Sequence, residues 1–254
     1  MPGEFDLNAD LGEGFGVWRL GDDEALLQVI TSANVACGFH AGDPLIMQRV
    51  CELAAARNVA IGAQVSYRDL AGFGRRRMHV APDELTADVL YQLGALDAFA
   101  RSAGTRVRYV KPHGALYHAV ADEPADAAAI VSAVAAYDPG LPLLGLPGSA
   151  VEHAARAAGL GFVAEAFADR GYLPNGRLVP RRDDGALITD VEGVVRRAVR
   201  FATRGDVEAT DGTAVVINPR SLCLHGDTPG AVQLATAARR ALLDAGVRLR
   251  PFTA

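Results

Sequence analysis

Short runs of strand-forming residues alternate with longer helical stretches along the whole chain, and this alternation limits the possible folds more than any other feature. Strand character at Phe5 to Asn8 is followed by a helical stretch at Glu24 to Thr31, Asn34 to Cys37 by Pro44 to Arg57, and Val59 to Val65 by Pro82 to Ala103. The pattern continues with Val107 to Val110 and a helix at Pro124 to Tyr137, then Leu143 to Gly145 and a helix at Ser149 to Ala158. After Phe162 to Ala166 comes a long irregular stretch, then a helix at Asp190 to Thr203, strands at Ala214 to Asn218 and Ser221 to Leu224, a helix at Pro229 to Gly246, and a last strand at Val247 to Leu249. Parallel neighbours need crossover connections, and helices supply them, so repeated βα units imply a parallel sheet. About seven or eight such units predict a closed (β/α) barrel. A length of 254 residues, half of them hydrophobic, suits one barrel domain spanning 1–254.

Helix-end chemistry agrees with this division. Pro44 and Pro229 suit a first helical position, with Asp43 and Thr228 as caps. Gly104, Gly159 and Gly246 follow helical stretches, where a left-handed residue commonly ends the helix. The stretches Asp69 to Arg77 and Asp169 to Gly185 read as long βα loops, and the short glycine clusters at Gly12 to Gly16 and Gly72 to Gly74 as turns.

A formal charge of −5 and a pI near 5.7 argue against a nucleic-acid or anionic-membrane partner, since either would favour a basic face. Cys37, Cys51 and Cys223 are too scattered for a disulfide framework, and no CxxC pair is present. No basic segment followed by an apolar stretch opens the chain, and no apolar run reaches membrane-spanning length, so a cytoplasmic location is expected.

In a parallel βα architecture the carboxyl ends of the strands converge on one face. Asn8, Asp10 and Glu13 fall there, as do His40, Asp43, Lys111, His113, Glu165, Asp169, Arg170, His225 and Asp227. Lys111 is the only lysine in the chain. It stands in Val110-Lys111-Pro112-His113-Gly114, and related sequences of an apolar run ending in His with Gly recur around His40 and His225. Three histidines, several carboxylates and one ammonium at one mouth are equipment for proton transfer or for binding a divalent metal. His79, His118 and His153 lie outside these three motifs and read as ordinary surface or helix residues. Asp43 and Asp227 also suit helix capping. One of Arg75, Arg76 and Arg77 can reach a substrate carboxylate as a bidentate fork, and Arg75 is the candidate. No HExxH and no GxxxxGK[ST] occurs, so zinc is not selected by spacing and a nucleotide has no P-loop in this chain.

Asp6-Leu7-Asn8-Ala9-Asp10-Leu11-Gly12-Glu13 and Thr31 through Pro44 closely resemble the LamB/YcsF family. Gly72-Phe73-Gly74-Arg75-Arg76, Val110 through Tyr117, Glu165 through Arg170 and Cys223 through Pro229 continue the likeness over almost the whole chain. The resemblance implies a (β/α) barrel of the glycoside hydrolase/deacetylase type. It also implies one subunit of the bacterial ATP-dependent 5-oxoprolinase, which opens 5-oxo-L-proline to L-glutamate with hydrolysis of ATP to ADP and phosphate. Two further subunits, resembling parts of biotin-dependent carboxylases and allophanate hydrolase, are the implied partners, and a homo-oligomer is compatible with the sequence.

On this reading Asp10, His40, Lys111, His113 and His225 are the catalytic candidates. Asn8, Glu13, Asp43, Arg75, Glu165, Asp169, Arg170 and Asp227 are the substrate-binding ones. One departure stands out. Where many members have His-Pro after Ile-Gly-Ala, this chain has Gln64-Val65, and a glutamine can hydrogen-bond but cannot shuttle a proton at neutral pH. Two rival readings are a metal-dependent deacetylase or amidohydrolase acting alone, with Asp10, His40, His113 and Asp43 or Asp227 as ligands, and a non-catalytic ligand-binding subunit.

Overall fold

Polar and apolar residues alternate strictly along the first strand, Asp6-Leu7-Asn8-Ala9-Asp10-Leu11, yet all six are buried. Side chains on a strand point to opposite faces in turn. Leu7, Ala9 and Leu11 join the large hydrophobic cluster, and Asp6, Asn8 and Asp10 face a hydrogen-bonded polar interior.

The computed structural model describes residues 3–227 and 230–253. In chain order its elements are β1 (Glu4–Leu11), α1 (Asp23–Leu26), β2 (Ser32–Ala36), α2 (Pro44–Ala56), β3 (Ala60–Val65) and α3 (Pro82–Ser102). Next come β4 (Val107–Pro112), α4 (Gly114–Asp122), α5 (Pro124–Tyr137), β5 (Leu143–Gly145), α6 (Ala150–Ala157) and β6 (Phe162–Phe167). The last are α7 (Val191–Arg204), β7 (Asp206–Glu208), β8 (Ala214–Val216), β9 (Ser221–Leu224), α8 (Ala231–Asp244) and β10 (Arg248–Leu249). Strands β1 to β6 and β9 pair in parallel in that order, and β9 returns to β1 through the register Asp6↔Ser221 to Ala9↔Leu224. The expected barrel is therefore closed, with seven strands in its ring. β10 adds only to the foot of β1, at Glu4 and Phe5.

Three expectations from sequence need correction. Ala214 to Asn218 is not a barrel strand: β8 pairs antiparallel with β7 outside the ring, and its Val216 is 68% exposed, unlike a strand covered on both faces. The first helix is a single turn capped by Asp22, because the chain soon turns toward β2, just before which the Thr31 hydroxyl bonds to the backbone of Leu7. Helix α4 is an addition to the sequence-based pattern. It begins directly after His113 and is separated from α5 by Glu123, whose extended backbone accommodates the ring of Pro124. Elsewhere the helix-end readings agree: Asp43 caps α2, and Gly104, Gly159 and Gly246 adopt positive φ. Thr228 and Pro229 lie outside the described residues.

The barrel interior is built from matched polar groups. Asp6 accepts hydrogen bonds from the hydroxyls of Thr31, Ser32 and Ser221, and Asn34 donates to both Asn8 (2.7 Å) and Asp10 (2.8 Å). Tyr109 crosses to Asn34 at 2.6 Å. Its ring occupies the space that a side chain at Gly62 would need, so only glycine fits on β3 at that level.

Candidate active site

At the carboxyl ends of the strands the polar interior becomes ionic. Lys111 on β4 is 2% exposed and stands 2.7 Å from Glu165 on β6 and 3.3 Å from Asp10 on β1. Its Nζ also lies 3.3 Å from Asn8 Oδ1 and 3.0 Å from the Cys223 sulfur, with the Phe167 ring 5.2 Å away. Burial alone would strip the proton from this amine. The fields of Asp10, Cys223 and Glu165 hold its pKa well above the usual lysine range instead. Asp10 is the converse case: burial opposes its charge, yet Lys111 and then His225 keep its carboxyl below the ordinary value. Burial raises Glu165 despite Lys111, and Tyr117 donates to its second oxygen at 3.0 Å.

A second cluster joins β1, β2, β3 and β4. His40 and His113 stack with ring centroids 4.0 Å apart, and the edge of Phe73 closes on both. Glu13 Oε1 is 3.9 Å from His40 Nε2, 3.6 Å from His113 Nε2 and 3.2 Å from the Gln64 amide nitrogen that donates to it. Gln64 Oε1 in turn lies 3.2 Å from His40 Nε2. Burial drives both imidazoles toward the neutral form, His40 to about 4 and His113 well below 6.5, and pushes Glu13 well above its usual value. One carboxylate and two neutral imidazoles with ligand atoms within 4.8 Å of one another could hold a divalent cation. The set differs from the sequence expectation: His40 and His113 are in it, but Glu13 is the carboxylate, while Asp10 pairs with Lys111 and neither Asp43 nor Asp227 takes part. The Nδ1 atoms of both histidines lack a hydrogen-bond partner among the described residues, so the usual support for ligating imidazoles is not built in.

The third cluster is a dyad. His225 Nδ1 lies 2.7 Å from Asp169 Oδ2, and the same oxygen accepts from the His225 backbone N–H at 3.1 Å. With a carboxylate as its partner, Nδ1 is a proton-bearing nitrogen, and the pair fixes the orientation of the ring. Despite burial, His225 holds the Asp169 carboxyl below its ordinary pKa. The Phe167 ring stacks on the imidazole at 5.5 Å.

Asp10, Lys111, His113 and His225 line one cavity of about 680 Å³, and His40 stands behind His113. The sequence-based convergence is therefore present in the structure. Not every candidate reaches the cavity with free atoms. Asp43 accepts from the backbone N–H groups of Leu45, Ile46 and Gly16, which makes it a helix cap and a tie to the first loop. Asp227 binds Arg75 at 2.6 Å, so the guanidinium expected to meet substrate already has a carboxylate. Arg170 lines the cavity but donates to the carbonyls of Ala186 (3.0 Å) and Val179 (2.7 Å), pinning the long loop. Sequence reasoning missed Tyr117, Cys223, Asn34, Phe167 and Arg181. It also set aside His118, which lines the cavity from α4. Strand alternation could have indicated Asn34 and Cys223, which share the inward parity of Asn8 and Asp10 in the register.

The comparisons with known proteins agree with this geometry. The LamB/YcsF family profile matches residues 5–254. The chain is 62% identical to a protein from Streptomyces avermitilis that is named as one of the subunits of 5-oxoprolinase, over 97% of its own length and 99% of the relative's. It is 60% identical to a protein of the same name from Mycobacterium avium over 97% of this chain and 98% of that one. A lactam utilization protein from Thermus thermophilus superposes with a TM-score of 0.94 at 48% identity, covering 98% of this chain and 100% of that one. A putative cellobiose-phosphate cleavage protein from Enterococcus faecalis, at 13% identity and a TM-score of 0.53, shares the fold alone, with 98% of this chain and 97% of that one covered. With the barrel, the strand-end clusters and a match over nearly all its residues in agreement, this chain belongs to the LamB/YcsF family.

Proposed function

We propose that this chain is the lactam-binding subunit of an ATP-dependent 5-oxoprolinase, a hydrolase acting on the cyclic amide of 5-oxo-L-proline. The observation that carries the reading is the union, in one cavity, of a buried ammonium and an oriented imidazole–carboxylate dyad. The names of the relatives support the choice of substrate.

A five-membered lactam resists water, and transfer of the ATP γ-phosphoryl group to its carbonyl oxygen makes the ring carbon electrophilic. His225 Nε2, with Nδ1–H fixed on Asp169, takes a proton from water as that water adds to the carbon. Lys111, held by Asp10 and Glu165, faces the negative oxygens of the transferred phosphoryl group and favours its presence on the ring carbon's oxygen. The C–N bond then breaks with a proton returned to nitrogen, and a second water releases phosphate from the acyl phosphate to leave L-glutamate. ATP is a co-substrate for which this sequence has no P-loop, and the two further subunits are proposed to supply its site. Among the described residues no helix is long and apolar enough to cross a membrane, and we assign the reaction to the cytoplasm, where ATP is available.

The test is ATP- and 5-oxoproline-dependent glutamate release, measured for this chain alone and with its partner subunits. Release only by the assembled set is expected; release by the chain alone without ATP would overturn the reading. A second reading rests on Glu13, His40 and His113, whose ligand atoms make a metal-assisted amidohydrolase conceivable. Activity lost on chelation and restored by Zn²⁺ or Mn²⁺ would favour it, and the ATP-coupled reading expects none.

A further inference from the structure

The cavity is much larger than the nine heavy atoms of 5-oxoproline require, and its wall is rich in guanidinium groups. Arg75, Arg77, Arg170, Arg181 and Arg182 all line it. Four of them are engaged or turned to solvent. Arg75 binds Asp227 at 2.6 Å, and Arg77 binds Asp126 at 2.6 Å and the Tyr67 hydroxyl. Arg170 is spent on two carbonyls, and the side chain of Arg182 is 91% exposed beside Asp183. Arg181 alone is half-buried and makes no hydrogen bond or ion pair among the described residues.

Its backbone is well held. The loop that carries it is tied on one side by Val179, whose N–H bonds to Gly171 and whose carbonyl takes Arg170. On the other side it is tied by Ala186, which accepts from Gly171 N–H and from Arg170. Short bridges at Arg170↔Leu187 and Tyr172↔Leu178 close the same loop. A guanidinium held on a fixed loop at the cavity wall without a protein partner keeps its planar donors available to a ligand. Burial and the neighbouring Arg75 lower the pKa of Arg181 against the fields of Asp227, Asp169 and Asp10, none of which bonds to it.

We propose that Arg181 is the specificity-determining residue of the cavity: its free guanidinium clamps the carboxylate of the substrate through two parallel hydrogen bonds, in the cavity that Lys111 and His225 also line. This deepens the 5-oxoprolinase reading and rests on it for the identity of the ring. The geometry by itself requires only a small cyclic amide bearing a carboxylate.

The test compares 5-oxo-L-proline with its neutral carboxamide as calorimetric ligands of the purified chain, wild type and Arg181→Met. The wild type should prefer the acid by about 30-fold or more, as a charge-assisted pair implies, and the variant should bind both alike. In the assembled enzyme the variant should raise KM for 5-oxoproline by a similar factor with kcat within about threefold, and Arg181→Lys should restore part of the loss. An unchanged preference in Arg181→Met overturns the assignment, as does a rise in the KM for ATP alone, which would mark the contact as phosphoryl. Because Arg181 contacts no other described side chain through a hydrogen bond or ion pair, the melting temperature should stay within about two degrees. A wild-type complex that releases no glutamate would instead count against the 5-oxoprolinase reading, while the acid-versus-amide preference still judges Arg181.

Discussion

Replacing Lys111 with methionine keeps an unbranched side chain one atom shorter and deletes its charge, leaving Asp10 and Glu165 as two buried carboxylates without a cation between them. At 2.7 Å and 3.3 Å with an effective dielectric of about 20, the lost attractions are roughly 6 and 5 kcal/mol gross. Most of that is offset, because the amine no longer has to be desolvated and the carboxylates can take up protons. One-sided removal of a buried ion pair leaves a net loss of about 3–5 kcal/mol, a large share of a typical domain's stability. The loss should depend on pH. In the wild type Asp10 is held below its ordinary pKa, so its contribution is present above the unfolded value and fades only as pH falls through the folded one. In the variant both carboxyls are pushed up, and protonation relieves the strain as the solution is acidified. Urea unfolding followed by circular dichroism should show the full deficit at pH 7.5 and a clearly smaller one at pH 5. Adding Glu165→Gln to Lys111→Met should recover stability but no turnover, whereas Lys111→Arg should keep the charge, crowd a filled site and lose most activity. A deficit below about 1 kcal/mol at pH 7.5, or one that ignores pH, would refute the view that the amine neutralises this floor.

Asp169→Asn should leave the fold intact and lower kcat of the assembled enzyme by about 10²–10⁴, because the His225 tautomer is no longer enforced; steady-state kinetics with a matched melting curve checks this. Asp6 is pushed by burial to about 6 although three hydroxyls donate to it. The native state thus holds a proton that the unfolded chain releases above 3.8, and the associated stability is complete below that pH and lost as pH rises through 6. Relative to Asp6→Asn the loss should be roughly 2–2.5 kcal/mol, read from urea midpoints at pH 4 and pH 7. Gly62→Ala would drive a methyl group into the Tyr109 ring, and a loss of about 3 kcal/mol or failure to accumulate folded protein is expected by thermal melting.

The barrel is legible in the sequence because parallel strands and their helices leave a strong alternation, and because glycines end the helices where left-handed backbone is needed. Strand-end convergence is legible for the same reason: it follows from topology alone. What the sequence conceals depends on pairing across space. The Asp43 side chain reads equally as a cap or as a ligand until the Gly16 N–H is seen to take its second oxygen. Arg75 and Arg181 have the same chemistry, and only the position of Asp227 decides which is free. Helix α4 escapes a sequence reading because a glycine start and the apolar string around Leu116 and Val120 lack a polar cap to announce them.

Lys111 stands on the fourth strand of the ring and draws its counter-charges from the first and the sixth, while the ninth strand of the chain completes the circle. A growing or truncated polypeptide that has made only the first four strands would therefore strand an ammonium beside one acid, with the second not yet supplied. The second acid comes with β6, and β9 then closes the ring and brings the Cys223 sulfur to the same amine. Partly built barrels are thereby penalised, and the molecule is tied to an all-or-none assembly in which the reactive amine becomes available only when the whole circle exists.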